Sequence, residues 1–567
     1  MYDVIVIGSG IGGLSAAGLL AKVAGKKVLV LEKHSEPGGQ THTFRRDGAH
    51  WNVGVHYVGD MEQGSTARRY FDYLSDGHLR WNNLSNVSDR LVFPGIDVEV
   101  GSNQQEYRDR LVRLFPEETR AIDRYFRDAH RMQSWLSLYV AQGMVPKVMA
   151  PVLRLLGKAT GSTALSTTKE YLDRNVRSPQ LKAILAAAWG DYGVVPSKSA
   201  FAVHGMIVAH SARGTWFPDG GSAMIARTLE QGIEAAGGAV QVCQEVTEIL
   251  IDDGRAVGVS VLDNRGPVPV TREYRAETVI SNIGVEPTFG QLLAHQPQSV
   301  KVMEQLQRIG TGISGVMVYI KLKDDPTVLG IDGGNILINT GFDHDDQARA
   351  RAGLLSGQPT SAMVCFPSAK LRETTHHTAE ILVFTDAVFH RNDDYPALKE
   401  RMARGLIDLA DSVVPGFADL VDYYEVGTPL TVEKYTSHPH GAFYGVPVTP
   451  QRFKEKPFGP RTEIPGLYLS GQDVSSLGVV GALMGGVAAA SQVLGARGFS
   501  MINHALNKPP KHPQQQRLPE HKYHATLTAK KQLMDSVWQL DFELDRDAGD
   551  WTAGQYARLC VGGFYWR

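Results

Sequence analysis

The chain has 567 residues, 43% hydrophobic and 21% charged, enough for two or more packed cores. Its formal net charge of −2 gives no whole-molecule attraction to nucleic acid or to an acidic membrane. The three cysteines (Cys243, Cys365, Cys560) form no CxxC pair, which argues against a disulfide scaffold and a cysteine zinc site and makes a reducing cytoplasm the expected compartment.

In chain order, residues 2–7 (YDVIVI) read as a buried parallel strand, 14–24 as a helix and 27–32 (KVLVLE) as a second strand. Together they make one β-α-β unit. Asp3 interrupts the hydrophobic start and no basic stretch precedes it, so no targeting segment is expected. Residues 104–190 are helical in pattern, with Pro116, Pro146, Pro151 and Pro179 as breakers. Within them, 132–146 is uncharged but only 15 residues long. A spanning helix needs about 20 apolar residues, so no membrane span is expected. Further strands are expected at 239–242, 246–251, 256–262, 279–281, 315–322, 381–384 and 467–470, and a long helix at 480–494. From 500 to 531 six basic residues face one acidic, with Pro509, Pro510, Pro513, Pro519 and a run of three glutamines. That composition reads as a linker.

Gly8-Ser9-Gly10-Ile11-Gly12-Gly13 supplies GxGxxG between a strand and a helix. Gly8 allows the tight turn, Gly10 lets a pyrophosphate approach the backbone, and Gly13 lets helix and strand pack closely. Glu32 closes the second strand, where a carboxylate holds ribose hydroxyls. A second glycine cluster at 310–315 has its apolar strand after the glycines instead of before them, and reads as a turn feeding a strand.

The segments that decide between FAD and NAD carry a resemblance. Lys33 to Gly39 (KHSEPGG) resembles the second glycine motif of glutathione-reductase-like and amine-oxidase-like flavoproteins. Gly466 to Asp473 (GLYLSGQD) is similar to the strand whose terminal Asp holds the flavin ribityl chain. Gly478 to Gly486 (GVVGALMGG) resembles the helix start that lies under the flavin ring, where the helix dipole stabilises negative charge. Within that superfamily the chain looks like the phytoene desaturase, carotenoid isomerase and retinol saturase branch over roughly residues 2 to 500. The matching pieces are Gly54 to Gly59, Trp189 to Gly193, Phe201 to His210, Trp216 to Gly221 and His440 to Gly445.

The resemblance implies an α/β fold: a Rossmann-like FAD-binding domain of the glutathione-reductase and amine-oxidase type with an inserted α+β substrate domain. The expected boundaries are 1–95, 215–290 and 455–500 for the FAD domain and 96–214 and 291–454 for the substrate domain. A linker at 501–531 and a partial barrel-like hairpin at 532–567 complete the chain. FAD is expected on Gly8, Gly10, Gly13, Glu32, Lys33, Gly39, Gln40, Val246 (through its backbone), Gly471, Asp473, Val480 and Gly481. No metal site is expected.

The same resemblance implies a long, apolar, conjugated polyene bound in a tunnel of aliphatic and aromatic residues. Residues 132–156 are expected as its lid or as an interfacial entry giving a peripheral membrane contact. Hydride would pass between flavin and a carbon–carbon double bond, with NAD(P)H as external reductant. Saturation or reductive cyclisation, as in tetramate macrolactam cyclases, is favoured over desaturation or isomerisation. Such chemistry needs a proton donor. The candidates on the matching motifs are His56, Tyr57, Asp191, Tyr192, His204, His210 and Tyr444, and Asp191, His204 and Tyr444 are preferred. A flavin-bound isoprenoid carrier and an amine oxidase stay open; the second is disfavoured because no aromatic cage is visible in the sequence. Residues 538–544, 553–556 and 564–567 resemble the opening of a ferredoxin-reductase FAD barrel. The stretch is too short to close one.

Overall fold

The computed structural model describes residues 2–84, 89–101, 103–141, 163–211, 214–371, 376–455 and 458–507, and four strands beyond them. A parallel sheet runs in the order Ala239–Gln241, Val28–Leu31, Val4–Ile7, Thr278–Ser281, Leu467–Leu469. Val4–Ile7 and Val28–Leu31 are apolar at every position because both of their faces are covered. Val4, Val6, Val28 and Val30 pack under the helices Ile11–Ala24 and Gly478–Val493, whereas Ile5, Ile7, Leu29 and Leu31 pack on Ile249, Val259 and Val261. The last three belong to an antiparallel sheet of Gln244–Asp252, Arg255–Asp263 and Val270–Arg275. Gly25, in the left-handed region at φ 61°, ends the first helix and caps its last carbonyls.

A second, seven-stranded sheet has the order Val421–Gly427, Ser314–Leu322, His377–Thr385, Ser361–Cys365, Ile336–Asn339, Asp89–Phe93, Ile96–Val100. Along Ser314–Leu322 the side chains alternate. Val316, Val318 and Ile320 pack with Met402 and Leu406 of the helix Tyr395–Asp411, and Met317 and Tyr319 face the other way, beside Trp51 and Leu382. A helical layer of Gln104–Leu114, Thr119–Ala141, Thr168–Asn175, Pro179–Ala186 and Phe201–Ser211 encloses a third core around Tyr125, Tyr171 and Phe201.

The expected boundaries shift in four places. The hairpin of Asp89–Phe93 and Ile96–Val100 pairs through Ile336–Asn339 into the seven-stranded sheet, so a cut after 95 splits one hairpin. Leu292, Leu293, Leu306 and Ile309 pack against Ile5 and Ile7, so the segment after 290 stays with the parallel sheet until strand Ser314–Leu322. The expected linker begins inside the helix Gly498–Leu506, whose Ile502 is fully buried in the first core. It ends inside the strand Ala525–Met534, which pairs antiparallel with Val537–Leu544. Leu559–Val561 and Phe564–Trp566 form a further antiparallel pair. Among the described residues no helix is long and apolar enough to cross a membrane. Much of the expected lid, residues 142–162, lies outside the described residues.

Candidate active site

A cavity of about 1110 Å³ opens at the carboxyl ends of the parallel strands, where Gly8, Glu32, Asn282 and Gly471 follow Ile7, Leu31, Ser281 and Ser470. It runs on to the inner face of the seven-stranded sheet at Met317, Tyr319 and Leu382. Open α/β sheets bind ligands at this edge.

The glycines of the first motif are there because neighbours leave no room for side chains. A Cβ on Gly13 would collide with the carbonyl of Gly8, fixing helix against strand. One on Gly10 would lie 2.9 Å from the Asn282 amide, and one on Gly12 within 2.7 Å of the Gly471 backbone. Gly39, at φ 56°, brings the second glycine motif against Gly10. Glu32 is nearly buried, and its carboxylate accepts from the Ser9 amide (2.9 Å), the Ser9 hydroxyl (2.6 Å) and the His34 amide (2.8 Å). It therefore shapes both glycine loops while lining the cavity. Lys33 donates to the carbonyl of Lys434 (2.9 Å) and the hydroxyl of Ser437 (2.6 Å), and desolvation holds its ammonium below the usual lysine range. Gln40 and Gln472 both donate to the carbonyl of Phe443, at 2.9 and 3.4 Å.

Asp473 lines the cavity and is also held by the backbone. Its carboxylate oxygens accept from the amides of Val285 and Val446, each at 2.8 Å, so it ties three chain segments together at the cavity wall. Gly445, at φ 60°, touches it so closely that any Cβ would collide with Oδ1. The buried Arg452 donates to the carbonyls of Gln472 and Asp473, both at 3.0 Å. The polar groups left over on this wall are the hydroxyls of Ser470 and Ser476, both buried without a hydrogen-bond partner in the protein. A ligand rich in hydroxyl or phosphate oxygens fits them, the glycine cradle and the free amides at the start of Gly478–Val493. The remaining cofactor positions (Val246, Val480 and Gly481) line the same cavity, whereas Gly13 acts one layer behind it. Gly485 and Gly486 do not face the ligand space. Gly486 sits on Ser15 and Gly12, and Gly485 on Gly471, so the two helices cross at van der Waals contact.

At the other end, the Tyr57 hydroxyl lies 3.0 Å from both carboxyl oxygens of Asp191, and both residues line the cavity. Burial, with the nearby Asp89 carboxylate adding to it, pushes the Asp191 carboxyl up to about 7, against the opposing hydrogen bond from Tyr57. Tyr444 lines the cavity and donates to the carbonyl of Gly190 (3.2 Å). Gly193, at φ 64°, is required there because a Cβ would collide with the Tyr444 ring. Next to Tyr57, His56 faces the buried Glu380 across 3.4 Å, and its pKa is raised to about 10 by Cys365 and Glu380 although burial opposes this.

His204 is corrected. It is fully buried, is not among the residues lining the cavity, and has both ring nitrogens engaged, by Tyr125 (2.8 Å) and Tyr192 (3.0 Å). Burial pushes its pKa down to about 4, so it is a neutral hydrogen-bonding hub of the helical layer. Tyr192 is buried on that hub, whereas His210 lines the cavity. Sequence reasoning ranked Tyr57 below the three preferred residues, and the signal that lifts it, its pairing with Asp191, spans 134 positions.

The remaining lining mixes polar side chains such as Arg46, Glu62, Gln133 and Glu425 with an apolar and aromatic patch. Phe44 and Phe443 join Met317, Tyr319, Met363 and Leu382, and the helix Thr119–Ala141 contributes Leu136. Trp135 and Tyr139 of that helix stack at 5.6 Å and meet Phe453 edge-on.

A parallel sheet with two glycine motifs, a helix start aimed into the cavity and a long apolar extension defines a flavoprotein oxidoreductase. Residues 11–494 match the model of the flavin-containing amine oxidoreductase family. The chain is 33% identical over 525 residues to an all-trans-retinol 13,14-reductase of Danio rerio, covering 87% of this chain and 86% of that protein. It is 26% identical over 542 residues to a chloroplastic prolycopene isomerase of Arabidopsis thaliana (89% and 85%). The fold matches cyclohexylamine oxidase from Brevibacterium oxydans with a TM-score of 0.56 at 16% identity, over 89% of this chain and 99% of that one. The protein belongs to the flavin-containing amine oxidoreductase family, in the branch of retinol saturases and carotenoid isomerases, and is an FAD-dependent oxidoreductase.

Proposed function

We propose that this enzyme reduces a carbon–carbon double bond of a long, apolar, conjugated polyene. The observation that carries the reading is a cavity in which a dinucleotide cradle continues to an apolar and aromatic patch of Phe44, Met317, Met363, Leu382 and Phe443, with the acid–phenol pair Asp191 and Tyr57 on the same lining. A polyene offers no charged handle, so Met317, Met363, Leu382 and Phe44 supply binding by burial. The 13,14-reductase relative, at the higher identity, favours saturation over desaturation or isomerisation.

When bound, the flavin supplies the hydride chemistry. The chain's residues do the rest. Gly8, Gly10, Gly39 and the amides opening Gly478–Val493 would receive the pyrophosphate and ring, and Glu32, Gln40, Val246 and Gly471 would hold the adenosine and ribityl ends. Tyr444 and Phe443 line the same cavity and would flank a substrate bound beside the ring. A catalytic role is retained for Asp191; Tyr444 becomes a positioning residue.

One dinucleotide fingerprint serves FAD, and the second glycine cluster joins helix Pro297–Ile309 to strand Ser314–Leu322 as a turn. NAD(P)H therefore acts from outside, through the substrate opening or through a partner. The test is anaerobic reduction of the flavoprotein with NADPH, or with dithionite where that is slow, followed by all-trans-retinol or prolycopene and mass analysis. A gain of two hydrogens with flavin reoxidation supports the reading. A product of unchanged mass reassigns the enzyme as an isomerase, and no product with either polyene overturns the reading.

A further inference from the structure

We infer that Tyr57 is the group that delivers the proton to the substrate carbon, with Asp191 as the proton store behind it; this rests on the reading of the enzyme as a double-bond reductase. The phenol oxygen is 3.0 Å from Oδ1 and 3.0 Å from Oδ2, so both carboxyl oxygens are turned toward Tyr57 and the pair is symmetric. A phenol has one proton to give. With Asp191 ionised, that proton is held by the carboxylate. With Asp191 protonated, the carboxyl proton points at the phenol oxygen and the phenol proton is released toward the cavity that both residues line.

The surroundings keep this pair isolated. Asp191 is faced by Tyr57 and His56 from the segment after the strand Ala49–Asn52, by Asp89 from the seven-stranded sheet, by Tyr444 from the loop opposite, and by Tyr192 from its own chain. His56 is held by Glu380, and Lys370 spends its ammonium on the His56 carbonyl (2.8 Å) and on Asn335 (2.6 Å). Neither cation forms an ion pair with Asp191, and burial keeps a proton on that carboxyl up to about pH 7. Tyr57 alone is a poor acid, because burial and the carboxylates of Asp191 and Asp89 raise its pKa well above 10. It can give a proton only while Asp191 returns one.

The step balances. A hydride from the reduced flavin forms one carbon–hydrogen bond, and the π pair moves to the neighbouring carbon. That pair takes the Tyr57 proton as Tyr57 takes the Asp191 proton. The substrate gains two electrons and two hydrogens, the flavin is oxidised, and the Asp191 carboxylate recovers a proton from solvent. The rate therefore falls as pH rises through about 7 and the store empties.

The experiment uses flavin-loaded protein reduced anaerobically with dithionite and mixed with all-trans-retinol or prolycopene in a single turnover. Tyr57→Phe and Asp191→Asn should each slow flavin reoxidation by the polyene by about 10²- to 10⁴-fold, the span of general acid catalysis. Flavin content, thermal midpoint and reoxidation by oxygen should stay near wild type, which separates lost chemistry from lost folding. In deuterium oxide the wild-type product should carry two deuteriums, one delivered through the dithionite-reduced flavin, whose transferable hydrogen comes from solvent, and one through Tyr57. Loss of rate in Asp191→Asn with Tyr57→Phe fast and merely shifted in its pH limb would make Asp191 the direct donor and overturn the inference. Wild-type turnover matched by both variants overturns it as well. A wild type inert toward both polyenes removes the reading beneath it.

Discussion

Glu32 illustrates how one side chain serves two levels of structure. Its carboxylate takes three hydrogen bonds from Ser9 and His34 and also closes the cavity. Glu32→Ala leaves those donors unpaired, and a charged hydrogen bond is worth about 1.5–3 kcal/mol. FAD affinity should drop roughly ten- to hundredfold, measured by flavin release during equilibrium dialysis. Gly10→Val should empty the site while the fold survives, because the added methyls meet Asn282 and fill the pyrophosphate approach. Unchanged flavin content in both variants would misplace the site. His204 gives the residue-scale test of burial. Its folded pKa of about 4 lies below the ordinary 6.5, so the unfolded chain binds a proton that the native state refuses. Native stability should therefore be undiminished above pH 6.5 and decline by about 3 kcal/mol as pH falls toward 4. His56 has the opposite sign, its contribution being complete below 6.5 and lost as pH rises through about 10. The difference in urea midpoint between wild type and His204→Asn across pH 7 to 5 isolates the first histidine. A difference that does not vary with pH would refute its buried neutral state.

At the scale of elements, the contact of Ile11–Ala24 with Gly478–Val493 joins the two ends of the family's motif set. Gly486, set against Ser15 and Gly12, lets the backbones meet, and the Ser15 hydroxyl bonds the carbonyls of Gly12 (3.1 Å) and Leu483 (3.3 Å). Gly486→Ala forces a methyl into Ser15 and Gly12, an overpacking that costs about 1–3 kcal/mol. Its thermal midpoint should fall, whereas Gly341→Ala, with open space around it, should leave the midpoint nearly unchanged. The seven-stranded sheet shows the same economy: one face of Ser314–Leu322 makes a core and the other lines the cavity.

For the whole molecule, the helix Gly498–Leu506 is part of the body that holds the cavity. Ile502 is fully buried among the helices over the parallel sheet, and Arg69 bonds the Asn507 side chain at 2.7 Å. Truncation after Asn507 should leave FAD bound with a thermal midpoint near that of the full chain. Truncation after Ser500 removes Ile502 and most of its helix, a loss of at least the 2–5 kcal/mol of one large core side chain, and should lower that midpoint and the flavin yield. Equal behaviour of the two truncations would show that the helix contributes nothing. With one dinucleotide site given to FAD, reduction by NADPH should be slow and weakly saturating; a low-micromolar apparent affinity, at the tight end of common KM values, would reveal a second site.

The local signals of the sequence were sufficient wherever an element is specified by near neighbours. The GxGxxG turn, the Glu32 carboxylate, the all-apolar strands and the small-residue helix are patterns of a few positions, and the strands and helices stand where those patterns put them, within a few residues. The strands Thr43–Arg46, Ala49–Asn52, Asp89–Phe93, Ile336–Asn339, Ser361–Cys365 and Val421–Gly427 went unread. Short mixed strands acquire their alternation only when a partner fixes which face is buried. The hydrogen-bond partners of Asp473, His204 and Tyr57 are likewise distant in sequence. The amides of Val285 and Val446 bond the first carboxylate, Tyr125 and Tyr192 engage both nitrogens of the imidazole, and Asp191 accepts from the Tyr57 phenol. Motifs record what a backbone must do locally, whereas the protonation and direction of a buried polar group are set by whatever the tertiary fold brings within about 3 Å of it.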